Sequence, residues 1–343
     1  MNREGRLAIA LVAVALCFPS ATPAHATSAD FPAGYTAHHT YPELHAELKQ
    51  VAAAHPDIVS LRSMGRSYEG RKLFIVKISD NVSTDEIEPE VYVDGGIHGH
   101  EHLSTEQALE LVHWLADGYG SDAQITAIVQ STEIWIAPLV NPDGATFDIS
   151  DGTFHRWRKN RQPNAGSAEI GTDINRNFAF KWGGKGSSAE PGHQFFRGPS
   201  AWSTPEARRI RDFVRSRVIG GNQQLRLALT IHSHGEFVMY PFGYTSDPQP
   251  VDMRPGDSDR LKSVADGMAE RNGYRALQAG QLYRSSGTFM DWAYARHRIL
   301  ALTLEMAPAA SVEDGWYVSD EDVPRELERN RDALLWFLEQ WWR

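Results

Sequence analysis

A histidine and a glutamate three residues apart, His98 and Glu101, are side chains whose types and spacing suit metal chemistry. Neutral imidazole and anionic carboxylate are both zinc ligands. Residues 91–94 read as a strand that Gly95 and Gly96 interrupt, so the pair is expected on the loop before the next helix. Taken alone the pair is weak evidence, because most histidines near a glutamate are surface residues or satisfied core groups.

Two further polar residues end apolar runs that predict buried strands. His232 follows the run at residues 225–231, and Glu305 follows the run at residues 299–304. Ligands of open α/β sheets gather beyond the carboxyl ends of the strands, so we expect both side chains at one edge of the sheet. A backbone-bonded histidine and a buried ion pair are the structural alternatives, since an unpaired buried charge is costly.

Hydrophobic periodicity predicts the elements that position these side chains. Predicted strands cover residues 58–61, 73–78, 91–93, 134–139, 225–231, 237–240 and 299–304. Predicted helices lie between Thr40 and Pro56 and over residues 103–115, 205–218, 259–271 and 324–342. This alternation predicts a single α/β domain with a central twisted mixed, largely parallel sheet covered by helices on both faces. Residues 140–200 lack periodicity, and a loop region of that length is usually functional.

Eight short segments resemble the zinc carboxypeptidase family of carboxypeptidase A, and their pattern is closest to bacterial carboxypeptidase T. The resemblance spans nearly the whole chain after residue 26, and the order and spacing of the segments fit throughout. The segments are residues 96–101, 157–159, 173–177, 231–233, 240–244, 282–283, 291–292 and 304–305. The resemblance implies an enzyme with one zinc ion per chain that hydrolyses the C-terminal peptide bond of peptide or protein substrates.

The resemblance also implies the roles of the polar residues. His98, Glu101 and His232 match the zinc ligands and leave a fourth position in which zinc acidifies a water molecule. Glu305 matches the general base that takes the proton from that water. Arg158 matches the cation that stabilises the charge on the scissile carbonyl oxygen.

A second group of matches implies that the substrate ends at the site. Asn175 and Arg176 match the pair that holds the free C-terminal carboxylate, which the guanidinium fork suits. Asp173 matches a carboxylate that orients the zinc ligand His98. Tyr283 matches a mobile tyrosine that closes over the substrate.

Residues 285–291 match the floor of the pocket for the terminal side chain, with Ser285, Thr288 and Met290 as substrate contacts. Met290 lies where relatives that are specific for basic residues carry a carboxylate. A neutral thioether there predicts a preference for apolar or aromatic terminal residues, because burying an unpaired lysine or arginine head group is expensive. His100 departs from the pattern, since many relatives carry an arginine there that touches the residue upstream of the scissile bond.

Three alternatives compete with this interpretation. His98, Glu101 and His102 also fit the inverted zincin motif, which requires a helix that the neighbouring glycines disfavour. A peptidase of cell-wall peptides with a diamino acid terminus fits the same fold, although Met290 disfavours so polar a terminus. A non-catalytic binding module on this fold is disfavoured because the ligands and the base are all present.

The first 26 residues predict a secretory signal. Arg3 and Arg6 precede an apolar run at residues 7–18, and Ala-His-Ala at residues 24–26 forms a cleavage site. We therefore expect a signal peptide at residues 1–26, a catalytic domain at residues 27–343, and a secreted, extracellular protein without a membrane segment. Cys17 is the only cysteine, so the mature chain would have no disulfide. The net charge of −10 argues against nucleic acid as a partner.

Overall fold

The computed structural model describes residues 30–309 and 315–342. The predicted signal peptide, residues 1–26, lies outside the described residues, so this boundary remains a prediction. In the described part of the chain, no helix has both the length and the apolar composition needed to cross a bilayer.

A mixed sheet forms the centre of the domain. The strands are β1 (Val59–Arg66), β2 (Lys72–Ile78), β3 (Glu90–Asp94), β4 (Glu133–Ala137), β5 (Val218–Ile219), β6 (Asn222–Gln223), β7 (Leu225–Gly235), β8 (Phe237–Tyr240), β9 (Arg275–Gln278) and β10 (Leu300–Ala309). Eight of them form one sheet in the order β1-β2-β4-β3-β7-β10-β8-β9, and β5 pairs with β6 alone. The central strands β4, β3, β7 and β10 are parallel, whereas β1 and β2 are antiparallel additions at one side and β8 is antiparallel to β10.

Helices and loops cover both faces of this sheet. The helices are α1 (Tyr41–Ala54), α2 (His102–Gly118), α3 (Ala123–Val129), α4 (Pro142–Asp148), α5 (Pro205–Ser216), α6 (Asp257–Asn272), α7 (Ala279–Leu282), α8 (Phe289–His297), α9 (Val323–Arg329) and α10 (Arg331–Leu338). Every residue of β3 and β4 is buried, which requires cover on both faces because successive side chains alternate in direction. The predicted fold class is therefore confirmed.

Seven elements were not predicted, namely α3, α4, α7, α8, β5, β6 and β9. Helices α3, α4 and α8 are short, and a side-chain cap marks each start instead of a long periodic run. Asp122, Asn141 and Thr288 each accept a hydrogen bond from a backbone N–H of the first turn. A cap of this kind is a weaker signal in the sequence than hydrophobic periodicity.

The C-terminal region contains two helices where one was predicted over residues 324–342. Helix α9 ends at Arg329 and α10 begins at Arg331, with Asn330 between them. The buried Asn330 side chain donates to the Glu326 carbonyl and accepts a hydrogen bond from Asn272. The contact with Asn272 is tertiary, so the local sequence pattern does not contain it.

The register of the central strands determines which side chains meet. Glu305 of β10 lies directly opposite His232 of β7, and Asp94 at the end of β3 lies opposite Thr230 of β7. The loop that follows β3 therefore leaves the sheet beside the carboxyl ends of β7 and β10. Residues 149–204 contain no α-helix and no strand of the sheet, and they lie over this same edge.

Candidate active site

Three buried side chains from separate segments meet at the carboxyl edge of the sheet. Nδ1 of His98 lies 2.7 Å from one carboxylate oxygen of Glu101, and Nδ1 of His232 lies 2.8 Å from the other. The two Nδ1 atoms are 3.2 Å apart. All three side chains are buried, and their ligand atoms form one group that could hold a metal ion.

These side chains fit a zinc ion. Zinc bonds of about 2.0–2.2 Å in a tetrahedral arrangement would hold ligand atoms roughly 3.3 Å apart, close to the observed separations. Burial acts to raise the pKa of Glu101, but His98 and His232 lower it more, so the pKa lies well below its usual value. Two imidazoles and one anionic carboxylate are thus available, and they leave a coordination position open.

Glycines shape the loop that carries the first two candidate ligands. Gly96 has a φ of +61°, and a Cβ on Gly99 would lie 2.5 Å from backbone atoms of Gly144 and Trp157. Helix α2 begins only at His102, and Glu101 precedes it in a non-helical conformation. The inverted zincin alternative does not match this geometry, because His102 points away and places Nε2 3.0 Å from Asp148.

Asp173 joins two of the predicted site residues. One of its oxygens lies 3.3 Å from Nε2 of His98, and the other accepts a hydrogen bond of 2.9 Å from Nε of Arg158. Burial acts to raise the pKa of Asp173, but Arg158 and His98 hold it well below its usual range. Nη1 of Arg158 lies 3.7 Å from Glu101, which brings the guanidinium beside the candidate metal group.

Glu305 faces the candidate metal group without a basic partner. Within residues 30–309 and 315–342 the side chain of Glu305 forms neither an ion pair nor a hydrogen bond. The alternative of a buried ion pair is therefore not observed. Burial and the charge of Glu101 raise the pKa of Glu305, against the opposing effects of His98 and two arginines. The side chain is partly exposed and lines the pocket, so its carboxyl group is available to a bound molecule.

Arg176 is buried, and in the described part of the chain its side chain hydrogen-bonds to backbone carbonyls. Its Nε donates to the Gly186 carbonyl at 2.8 Å, and its Nη1 donates to the Asn175 carbonyl at 2.7 Å. Nη2 is buried and has no hydrogen-bond partner among the described residues. Asn175 Oδ1 accepts a hydrogen bond from the Phe289 N–H, which fixes the orientation of its amide. A buried arginine with a free donor is suited to bind an anion.

One pocket of about 290 Å³ connects these groups. Eight of the residues predicted for the site line it, and Tyr283 is 47 % exposed at its rim. The eight are His98, Glu101, Arg158, Asn175, Arg176, His232, Tyr283 and Glu305. Asp173 is fully buried behind them.

Ser285, Thr288 and Met290 do not line this pocket and are buried beside it. Thr288 caps α8 by accepting a hydrogen bond from the Asp291 N–H. Met290 Sδ lies 3.5 Å from the Thr303 hydroxyl, which donates to it. Their predicted role in selecting the terminal side chain therefore remains a prediction.

The pocket also contains residues that the sequence did not indicate, among them Phe195, His234 and Trp316. The Trp316 ring packs edge-on against His100 at 4.3 Å and against His234 at 4.6 Å between ring centroids. His234 follows His232 by two residues in β7, so strand alternation could have identified it. Trp316 and Phe195 carry no comparable signal of spacing.

An α/β fold that gathers two imidazoles, two carboxylates and a guanidinium with one unpaired donor around the carboxyl ends of its strands has the features of a metal-dependent hydrolase. Comparison with known proteins agrees. Residues 44–333 match the family model described as zinc carboxypeptidase. The chain is 38% identical over 309 residues to a zinc carboxypeptidase of Saccharothrix mutabilis subsp. capreolus, which covers 90% of this chain and 70% of that protein.

Two further relatives extend the comparison. The chain is 32% identical over 267 residues to carboxypeptidase A2 of Rattus norvegicus, and the match covers 76% of this chain but only 60% of that protein. The solved structure of thrombin activatable fibrinolysis inhibitor superposes with a TM-score of 0.79 at 24% identity, covering 88% of this chain and 73% of that one, which supports the fold. This chain belongs to the zinc carboxypeptidase family, and the predictions of family and of zinc as the metal are confirmed.

Proposed function

We propose that this protein is a secreted zinc metallocarboxypeptidase that removes the C-terminal residue of peptides and proteins and prefers apolar or aromatic terminal residues. The observation that carries the proposal is the buried guanidinium of Arg176, whose Nη2 has no partner among the described residues although it lies in the same pocket as the zinc ligands. A free terminal carboxylate has the charge and the two oxygens that such a guanidinium binds.

The catalytic roles follow from the surroundings of each group. His98, Glu101 and His232 would hold zinc, which when bound polarises a carbonyl group and lowers the pKa of water. Glu305 accepts the proton of the attacking water and transfers it to the leaving amine, because it faces the metal group without a basic partner. Its raised pKa favours holding that proton between the two steps. Arg158 donates to the oxygen on which negative charge develops.

Substrate recognition uses the part of the pocket that contains the Arg176 guanidinium. Arg176 Nη2 and the Asn175 amide donate to the terminal carboxylate, and Tyr283 closes over the substrate from the rim. Asn175 accepts a hydrogen bond from the backbone N–H of Phe289, so the terminal carboxylate of the substrate lies next to the segment that carries Met290. Met290 is 3 % exposed, and an apolar floor at this point would exclude a lysine or arginine head group.

The proposal is tested with pairs of peptides that differ only in a free or an amidated C-terminus, with and without a zinc chelator. We expect mass spectrometry to show stepwise loss from free ends only, and no loss with chelator. Arg176→Ala should raise KM for the free-ended peptide far more than it changes the slow turnover of the amide. Equal cleavage of both ends by the natural protein would contradict the proposal.

The terminal preference is tested separately with peptides that end in Phe, Leu, Lys, Arg, Glu or a diamino acid. We expect the highest kcat/KM for Phe or Leu, and Met290→Asp should shift the preference towards Lys and Arg while Thr303→Ser should not. Faster release of Lys, Arg or the diamino acid by the natural protein would overturn the assignment of the pocket.

Secretion is tested by N-terminal sequencing of the extracellular protein after expression of the full chain. Cleavage after Ala26 predicts a mature protein that begins at Thr27. Retention of the first 26 residues on a cell-associated protein would contradict this part of the proposal.

A further inference from the structure

Asp94 is a fully buried carboxylate that the proposed mechanism does not use. It is the last residue of β3, and it lies opposite Thr230 of the neighbouring strand β7. Side chains two residues apart in a strand point to the same face, so Thr230 and His232 share a face of β7. A buried ionisable group that directly precedes the loop with His98 and Glu101, and that lies beside the strand with His232, requires an explanation.

The ring nitrogen of His232 that faces away from the metal group has one suitable acceptor. Nδ1 points to Glu101 and to the other metal histidine, so Nε2 carries the proton when Nδ1 binds a metal. Nε2 lies 3.3 Å from the hydroxyl oxygen of Thr230 and 3.3 Å from Nδ2 of Asn175. Asn175 cannot accept with Nδ2, and its Oδ1 is occupied by the Phe289 N–H. The Thr230 oxygen is therefore the acceptor.

A hydroxyl that accepts from His232 must donate its own proton elsewhere. Asp94 lies opposite Thr230 in the register of β3 and β7, and neither of its buried carboxylate oxygens has a hydrogen-bond partner among the described residues. The Asp94 carboxylate is thus the acceptor beside the Thr230 hydroxyl.

We propose that Asp94 positions the zinc ligand His232 through the hydroxyl of Thr230. The imidazole Nε2–H donates to Thr230 Oγ1, and the Thr230 O–H donates to the Asp94 carboxylate. This arrangement leaves Nδ1 unprotonated and holds the ring in one rotamer, which are the two conditions for a strong zinc ligand. The inference rests on the proposed role of His232 as a zinc ligand.

The two metal histidines are then supported in different ways. Asp173 contacts Nε2 of His98 directly, and it also binds Arg158. Asp94 has no basic side chain within salt-bridge distance among the described residues. It acts on His232 indirectly, through the neutral hydroxyl of Thr230. The carboxylate that supports His232 therefore depends on Thr230, and a methyl group in place of that hydroxyl would leave the buried Nε2–H without an acceptor.

The test is the zinc dissociation constant of the purified full chain, measured by competition with a chromophoric chelator. Thr230→Val and Asp94→Asn should each weaken zinc binding by about 10–100-fold, the range typical of the groups that orient metal ligands. The double variant should bind no more weakly than the weaker single variant, because the two side chains act in one chain of contacts. Thr230→Ser retains the hydroxyl and should bind zinc as the natural protein does.

Thr303→Val is the matched control, since Thr303 lies opposite Thr230 in the register of β10 and β7 but contacts Met290. It should leave zinc affinity unchanged. Thermal unfolding of the zinc-free forms separates positioning from stability, because a purely structural role would lower the melting temperature of the zinc-free protein and leave the affinity intact. Unchanged affinity in Thr230→Val, or an equal loss in Thr303→Val, would overturn the proposal.

The pair of Thr230 variants keeps the test decisive if Asp94→Asn does not fold. Zinc affinity is measured without any peptide, so it does not depend on the proposed peptidase activity. Failure of the natural chain to bind zinc would instead contradict the proposed function.

Discussion

The parallel strands of the central sheet begin at its amino edge and end at its carboxyl edge. Both edges carry buried carboxylates, but the partners of these carboxylates differ. At the amino edge, Glu90 begins β3 and Glu133 begins β4. Arg217 Nη2 lies 2.5 Å from Glu90, and Lys77 Nζ lies 2.7 Å from Glu133. Each of these carboxylates therefore has a permanently charged partner inside the fold.

At the carboxyl edge, Arg158 pairs with Asp173, but the two carboxylates that line the pocket, Glu101 and Glu305, have no cation among the described residues as close as those at the amino edge. Glu101 contacts His98 and His232, and Glu305 has no ion-pair partner in the described part of the chain. An imidazole can give its lone pair to a metal, whereas an ammonium or guanidinium group has none to give. Buried charge alone thus does not identify a functional site, and the chemistry of its partner does.

The largest effect is expected from His232→Ala, which removes a proposed metal ligand from the carboxyl edge. Metal chemistry contributes several kcal/mol to such reactions, so peptidase activity should fall by at least about 10³-fold. Elemental analysis should show a matching loss of zinc. His55→Ala is the control, because His55 pairs with the exposed Asp117 and should affect neither quantity. Full activity in His232→Ala would remove the distinction between the edges.

Glu305→Gln should lower kcat by about 10²–10⁴-fold, the usual contribution of a general base, with zinc content unchanged. The base must be ionised, and burial and Glu101 raise its pKa, so kcat/KM should fall as the pH falls through that pKa. This acid limb of the pH profile should be absent from the residual activity of the variant. An unchanged acid limb would assign the titration to a different group.

Lys77→Met tests the amino edge, where we expect a loss of stability without a loss of kcat. Loss of one partner of a buried ion pair should reduce the free energy of unfolding by about 3–5 kcal/mol, because Glu133 loses its nearer cation and keeps, among the described residues, only Arg217 at 3.9 Å. Denaturant unfolding measures this loss, and kcat at a temperature where the variant is folded should equal that of the natural protein. A loss of kcat comparable to that of Glu305→Gln would show that the two edges are not functionally separate.

The smallest effect is expected at a surface ion pair. Lys262 and Asp266 lie one helical turn apart in α6 and are both largely exposed. Lys262→Ala should change the free energy of unfolding by no more than about 0.5 kcal/mol, because solvent screens the pair. A change as large as that of Lys77→Met would mean that burial does not decide the strength of these pairs.

Much of the fold could be predicted from local patterns. The central strands and the longer helices α1, α2, α5 and α6 follow from hydrophobic periodicity, which reports the side of an element that faces the core. Helix α8 could not be predicted in this way, since it depends on the Thr288 cap. The break at Asn330 also escaped prediction, because it depends on a hydrogen bond to Asn272, more than fifty residues away.

The candidate site likewise combines features that the sequence indicates with features that depend on tertiary contacts. The sequence by itself indicated the chemical types of the proposed zinc ligands, and it placed His232 and Glu305 at strand ends, because a polar residue that closes an apolar run must emerge at the edge of a buried sheet. Only the tertiary structure decided that His98 and His232, 134 residues apart, have Nδ1 atoms 3.2 Å from each other. It also decided that Arg176 keeps a donor without a partner among the described residues and that Trp316 lines the same pocket, since both depend on packing between segments that no local pattern relates.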